Sequence, residues 1–288
     1  MNGGVSPLML RRRLRTELRK ARLNSNLTQD QVAKAMEWSL SKMNRIEQAK
    51  SGISANDLRA LLPLYGITDE AQIEELLAQA RASRQTPWWR QRYGDVAPEA
   101  LLELMDYESA ASVITQFEPM FVPGILQTEE YASAVLQVFY DEKTSAERVA
   151  ALVDLRTRRR HLLTSPGAPK FSFVLDESVI RRLVGSPSTM RQQLQHLIGT
   201  ADLPNVTIRI VPFTAGLHPG MKQPFELIQF ADVLGENIVF LESPRGDFIS
   251  DDPKEAETYL AAFRRVTEES LSAAESVSIL RKAASEMT

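Results

Sequence analysis

The sequence contains no cysteine, which excludes disulfides, thiolate metal ligands and cysteine nucleophiles together. Histidine is scarce as well. His161, His196 and His218 are the only three, far apart and without H-x-x-x-H spacing, so no histidine metal site is signalled. The chain lacks any apolar run long enough to cross a membrane as a helix. It also lacks a signal-peptide pattern, since Leu8, Met9 and Leu10 lead straight into Arg11, Arg12 and Arg13. No P-loop, dinucleotide fingerprint, G-x-S-x-G elbow or H-E-x-x-H motif occurs. These absences give the expectation of a cytoplasmic protein with no cofactor, no metal, no membrane partner and no catalytic residues.

At 288 residues the chain is long for one core, and 43% hydrophobic with 25% charged residues is ordinary globular composition, so two or three folded units are expected. The net charge of −3 at first argues against nucleic acid. Its distribution reverses that reading: residues 1–50 hold 11 Lys and Arg against 4 Asp and Glu, leaving 23 against 33 for the remainder. A basic head attracts phosphate, and an acidic body limits non-specific adherence.

The stretch from Leu27 to Lys50 is the most informative. Thr28 with Gln31 is a capping box that starts a helix, and Val32, Ala33 and Met36 share one of its faces. Glu37 and Trp38 interrupt the period, Ser39 caps again, and Met43 and Ile46 resume inward spacing from Leu40. Turned outward are Leu40, Ser41, Lys42, Asn44 and Arg45, types that hydrogen-bond base edges, touch a thymine methyl or neutralise phosphate. On T-Q-x-x-x-A (Thr28, Gln29, Ala33) and S-K-x-x-R-I-E (Ser41, Lys42, Arg45, Ile46, Glu47), the segment resembles the helix-turn-helix of phage-repressor-like, XRE-type DNA-binding domains, over about Leu10 to Ser83. The resemblance implies that Gln29 bonds a phosphate and braces the recognition helix. It gives Gln29, Ser39, Leu40, Ser41, Lys42, Asn44 and Arg45 as the expected DNA-binding set. One departure stands out: the turn position, usually glycine because it needs positive φ, is Glu37.

The expected organisation is a disordered start over residues 1–9, a five-helix all-α domain over 10–83, a linker over 84–98 and an α+β domain over 99–288. Leu14, Leu18 and Ala21 set the first helix, whose arginines are either a solvated face or phosphate contacts. Ser54 with Asp57 caps the fourth helix, Gly66 stops it, and Thr68 and Asp69 start the fifth. In the linker, Trp88, Trp89 and Tyr93 either dock on the second domain or, with Arg90 and Arg92 interleaved, stack bases.

Beyond the linker, residues 101–111 are helical and Val113–Phe117 alternates like a strand. Pro123-Gly124 is a turn, and Thr128 caps a helix opened by Glu129 and Glu130. The Trp pair, the stretch Glu108–Ala111 and V-P-G-I-L-Q-T-E-x-Y-A (Val122 to Ala132) are similar to the large C-terminal domain of unknown biochemical role found behind this helix-turn-helix in actinobacterial, notably Streptomyces, regulators. That resemblance implies transcription regulation and a small, separately encoded partner protein. A helix from Ser145 to Leu163 ends in Arg156, Arg158, Arg159, Arg160 and His161, which suit its dipole or form a second nucleic-acid patch. Then Phe171–Leu175, Val206–Val211, Phe225–Phe230 and Asn237–Leu241 read as four strands, the last two a hairpin through Val233 to Glu236. One long helix from Pro253 to about Ala284 closes the chain. A mostly antiparallel sheet backed by helices is expected.

The strongest candidates for chemistry are Asp176, Glu177 and Glu242 at strand ends and His218 in the loop from Pro212 to Pro224, a weak acid/base signal. That loop is either a ligand or partner contact or only a connection. With Trp88 and Trp89, His218 completes the expected ligand or partner residues. The function expected is a sequence-specific regulator that binds a palindromic operator in double-stranded DNA as a homodimer. The alternative is an antitoxin-like or anti-regulator interaction protein that sequesters a small partner and regulates itself.

Overall fold

The computed structural model describes residues 7–48, 51–140, 145–231, 237–243 and 246–287. They form two compact units, the first running to Gln91 and the second starting at Arg92.

The first unit opens with α1 (Pro7–Asn24), α2 (Gln29–Ala35), α3 (Leu40–Glu47), α4 (Ala55–Leu64) and α5 (Glu70–Ala82). Each start after α1 is written locally. Thr28 accepts the amide of Gln31, whose side chain reaches back to the Thr28 amide, and Ser39, Ser54 and Asp69 accept from Lys42, Asp57 and Gln72. Leu14 and Leu18 of α1, Val32 and Ala33 of α2, Met43 and Ile46 of α3, Leu58, Leu61 and Leu62 of α4, and Leu76, Leu77 and Ala80 of α5 make one core. The expected disordered start differs from this. Pro7, Leu8 and Met9 already belong to α1, because Met9 is fully buried, and residues 1–6 lie outside the described residues. Glu37, between α2 and α3, has φ +55°, the left-handed conformation anticipated for that turn. The expected linker contains a helix, α6 (Trp88–Tyr93), on which the two indoles meet edge to face at 5.7 Å.

In the second unit α7 (Glu99–Glu108) precedes β1 (Val113–Glu118), and a 3-10 turn at Gly124–Leu126 leads to α8 (Glu129–Phe139) and α9 (Ala146–Arg159). Next come β2 (Lys170–Asp176), α10 (Glu177–Arg181), α11 (Pro187–Thr200), β3 (Val206–Val211), β4 (Phe225–Gln229), β5 (Ile238–Leu241) and β6 (Phe248–Ser250). The chain closes on α12 (Pro253–Glu268) and α13 (Ala273–Glu286). The sheet has the order β3-β2-β1-β4-β5-β6.

This sheet is mixed, which corrects the expectation of a mostly antiparallel one. β1 pairs parallel with β2, and β2 with β3, while β1–β4, β4–β5 and β5–β6 are antiparallel. The reason lies in the connections. The links from β1 to β2 and from β2 to β3 each contain two helices, and a helical crossover returns the chain in the same direction. The segment Val113–Phe117 is thus the centre of the sheet, with Gln116 opposite Phe173 on one side and Glu226 on the other. The expected turn at Val233–Glu236 lies outside the described residues. The expected single C-terminal helix is two, since Ser272 and Glu275 form a capping box that restarts the chain after α12.

One face of the sheet packs Phe117, Val174, Val211 and Phe225 on Phe263 and Val266 of α12. At the β3 edge, the Leu271 amide donates to the Ile210 carbonyl at 2.8 Å, and the Ile210 amide donates to Ser276 Oγ at 2.9 Å. Among the described residues no helix is long and apolar enough to cross a membrane. Replacing Glu37 by glycine relieves the left-handed strain, so Glu37→Gly is expected to stabilise the first unit by about 1 kcal/mol; urea unfolding of the full chain, followed by hydrogen exchange in α2 and α3, measures it.

Candidate nucleic-acid interface

The geometry of α3 follows from its two faces. Met43 and Ile46 are buried in the core, and the opposite face carries Ser39, Leu40, Ser41 and Arg45 exposed, with Lys42 and Asn44 half-buried beside them. Leu40 is 46% exposed, an apolar contact on an otherwise polar surface. Ser39 has a second duty, since its hydroxyl caps α3 by accepting the Lys42 amide at 3.1 Å. Among the described residues, the Arg45 guanidinium has no hydrogen-bond or ion-pair partner. A planar fork of donors held on an exposed helix face suits bidentate recognition of guanine or a phosphate.

What holds α3 in place is a buried polar group that sequence reading missed. Arg22 of α1 donates to both carboxylate oxygens of Glu47 at the end of α3, at 2.6 and 3.0 Å, and to the Leu27 carbonyl at 2.7 Å. Gln29 of α2 donates to the same carboxylate at 2.6 Å. Three helices are thereby tied at one point, and the hydrogen bond to Glu47 holds the Arg22 pKa above its usual value. Beneath them Tyr65 is buried, and burial raises its phenol. Beside the tie an open cleft of about 670 Å³ is walled by Arg19, Leu23, Asn26, Thr28 and Gln48. The motif quoted Glu47 but gave no sign of Arg22, which lies 25 residues earlier.

Lys42 is also engaged. Its ammonium lies 3.1 Å from Asp57 Oδ2 of α4 and 4.1 Å from the centre of the Trp38 ring.

The expected ligand or partner residues belong to different units. Trp88 and Trp89 are half-buried in the first, whereas His218 is 5% exposed in the second. His218 Nε2 lies 3.4 Å from Asp176 Oδ2, and its ring meets Phe117 edge to face. Asp176 also caps α10 through the Ser178 amide, and Glu177 accepts the Phe213 amide. These three residues staple the loop between β3 and β4. Gly220 continues the staple, since a Cβ there would overlap the Phe117 ring. Glu242 does not join them; its charge acts on Glu118 instead.

The second unit buries several charges on the sheet face opposite α12. Arg159, expected to suit the helix dipole or to join a second nucleic-acid patch, reaches inside and donates to both oxygens of Glu108 at 2.7 and 2.6 Å, with Glu226 3.6 Å away. Burial alone would lower the Arg159 pKa, and Glu108 more than reverses this. Arg156 donates to Gln127. Burial, then the neighbouring Glu108, push the Glu226 carboxyl well above the usual carboxylate range; burial, then Glu242, do the same to Glu118. Among the described residues no group of His, Cys, Asp and Glu is arranged to hold a metal ion.

Comparison with known families matches two stretches of the chain. Residues 101–282 match a "Domain of unknown function (DUF5753)", and residues 13–76 match a "Helix-turn-helix domain". No curated protein and no solved structure matches. The second match covers α2 and α3 and supports a DNA-binding regulator.

A carboxyl whose folded pKa is raised stabilises the fold fully below its unfolded pKa and loses that contribution as pH rises through the folded value. A pKa that differs by 1 between the folded and unfolded chain corresponds to about 1.4 kcal/mol of stability. Glu226→Gln keeps the shape and a donor toward Glu108 without the charge. We expect the variant to match the parent's thermal stability near pH 4.5 and to exceed it by several degrees at pH 8, read by calorimetry; parallel curves at both pH values would contradict a raised Glu226 pKa.

Proposed function

The chain belongs to the family defined by the domain of unknown function DUF5753, and with a helix-turn-helix ahead of that domain we propose that it is a sequence-specific transcriptional regulator of the XRE type. The observation that carries the reading is the free face of α3, with Arg45 unpartnered among the described residues and Ser41 exposed beside the half-buried Asn44. α3 enters the major groove, Arg45 supplies the bidentate contact, and Ser41 and Asn44 supply shorter hydrogen bonds. Leu40 meets a thymine methyl. Gln29, tied to Glu47, fixes the helix that carries them.

One helix reads only a few base pairs, so selectivity in a genome requires two helices about one turn of DNA apart. The reading therefore includes a cytoplasmic homodimer on a palindromic operator, assembled through the second unit. That unit also receives a signal or a small partner protein. The stapled loop between β3 and β4 supports a protein contact, since it holds Phe213, Leu217 and Met221 in water at 59, 91 and 56% exposure. No catalytic role is assigned.

Recovery of genomic fragments by the full-length protein tests the reading. A palindromic site is expected, with Arg45→Ala losing about 1–3 kcal/mol of affinity for it and relaxing preference at one base of each half-site. Unchanged selection by the variant would remove Arg45 from the interface. Sedimentation at micromolar concentration without DNA should give a dimer; a monomer would count against assembly through the second unit.

A further inference from the structure

We propose that Asp57 and Trp38 are specificity-determining positioning residues, which hold the Lys42 ammonium against the protein and so withhold one positive charge from sequence-independent attraction to DNA. This rests on the reading of α3 as the DNA-reading helix. Lys42 is the third residue of α3, on the same side as Ser41 and Arg45, where a free lysine would add a flexible point charge to the surface facing the duplex. Such a charge meets any phosphate equally well and carries no base information.

The structure instead gives that ammonium two partners from different elements. Asp57, in the first turn of α4, lies 3.1 Å away and neutralises it, while the Trp38 ring, in the turn before α3, lies 4.1 Å from it. Both partners lie within contact distance of the ammonium. Both side chains of the ion pair keep about a third of their surface exposed, 35% for Lys42 and 32% for Asp57, so the clasp sits at the rim of the reading face. Arg45, one turn further along α3, has no such partner among the described residues. The face therefore separates its two cations: the planar one, suited to a base edge, is presented, and the compact one, suited to any phosphate, is withheld.

The effect appears in the salt dependence of binding to unrelated DNA. Asp57→Asn leaves the backbone cap from Ser54 in place and removes the charge that neutralises Lys42. One additional phosphate contact steepens the slope of log affinity against log salt by about 0.9 and tightens non-specific binding about fivefold to tenfold at 0.1 M salt. The experiment uses the full-length protein and a scrambled duplex beside the duplex recovered from genomic fragments, with Asp57→Asn, Lys42→Met, the double variant and Arg45→Ala. We expect Asp57→Asn to bind the scrambled duplex more tightly with the steeper slope, and the gain to vanish in the Lys42→Met background. An unchanged slope in Asp57→Asn would overturn the proposal. So would a gain that persists without Lys42, since it would then come only from losing a negative charge. Arg45→Ala separates this from failure of the underlying reading: if it keeps full preference for the recovered duplex, Arg45 reads no base and the contrast between the two cations of α3 loses its premise.

Discussion

The first unit depends on the buried contact between Arg22, Glu47 and Gln29. A buried ion pair of this kind adds little net stability, because removing two charges from water costs nearly what their attraction returns, but leaving one partner alone is far more costly. The contact therefore selects among arrangements. A helix of eight residues packed through Met43 and Ile46 could rotate or slide by a fraction of a turn with little apolar loss. With Glu47 fixed from α1 and α2 at once, it cannot. The direction of Arg45 and Ser41 is thus set by a group that never reaches the surface they face.

The two units use charge in opposite ways. The first exposes an excess of cations and pairs selected ones. The second, where acidic residues outnumber basic ones, folds carboxyls into the sheet: Glu118 and Glu226 occupy strand positions on the face away from α12, with the Gln116 amide donating to Glu118 and with Glu108 and Arg159 on that face too. On the other face Phe117 and Phe225 meet α12 in ordinary apolar packing. One side of the same sheet is held by area and the other by proton and charge balance. The polar side accordingly responds to pH through its buried carboxyls, which the apolar side does not.

Legibility in the sequence followed distance along the chain. Caps at Thr28, Ser39, Ser54 and Asp69 act within three residues, and the left-handed Glu37 follows from a turn two residues before a cap, so all were readable. The residues facing outward on α3 were readable because period alone assigns a helix's faces. Partners were not. Arg22 to Glu47, Lys42 to Asp57 and Arg159 to Glu108 join residues that only packing brings together. Strand direction was hidden similarly, since alternation in Val113–Phe117 marks a strand without saying which neighbour it takes. The three-residue β6 is too short to show a period, whereas the Ser272–Glu275 box was present and overlooked within a long apolar pattern.

The position of α13 bears on how copies of this protein can meet. A sheet ends in two margins whose free amides and carbonyls invite another chain to add a strand. At one margin both backbone groups of Ile210 are already taken by Leu271 and Ser276. The other margin is β6, which pairs over only three residues, from Phe248 to Ser250, too little to template a long intruding strand. Strand-by-strand polymerisation is thereby discouraged at both ends, and self-association is left to side-chain surfaces, where it can stop at a defined number of subunits.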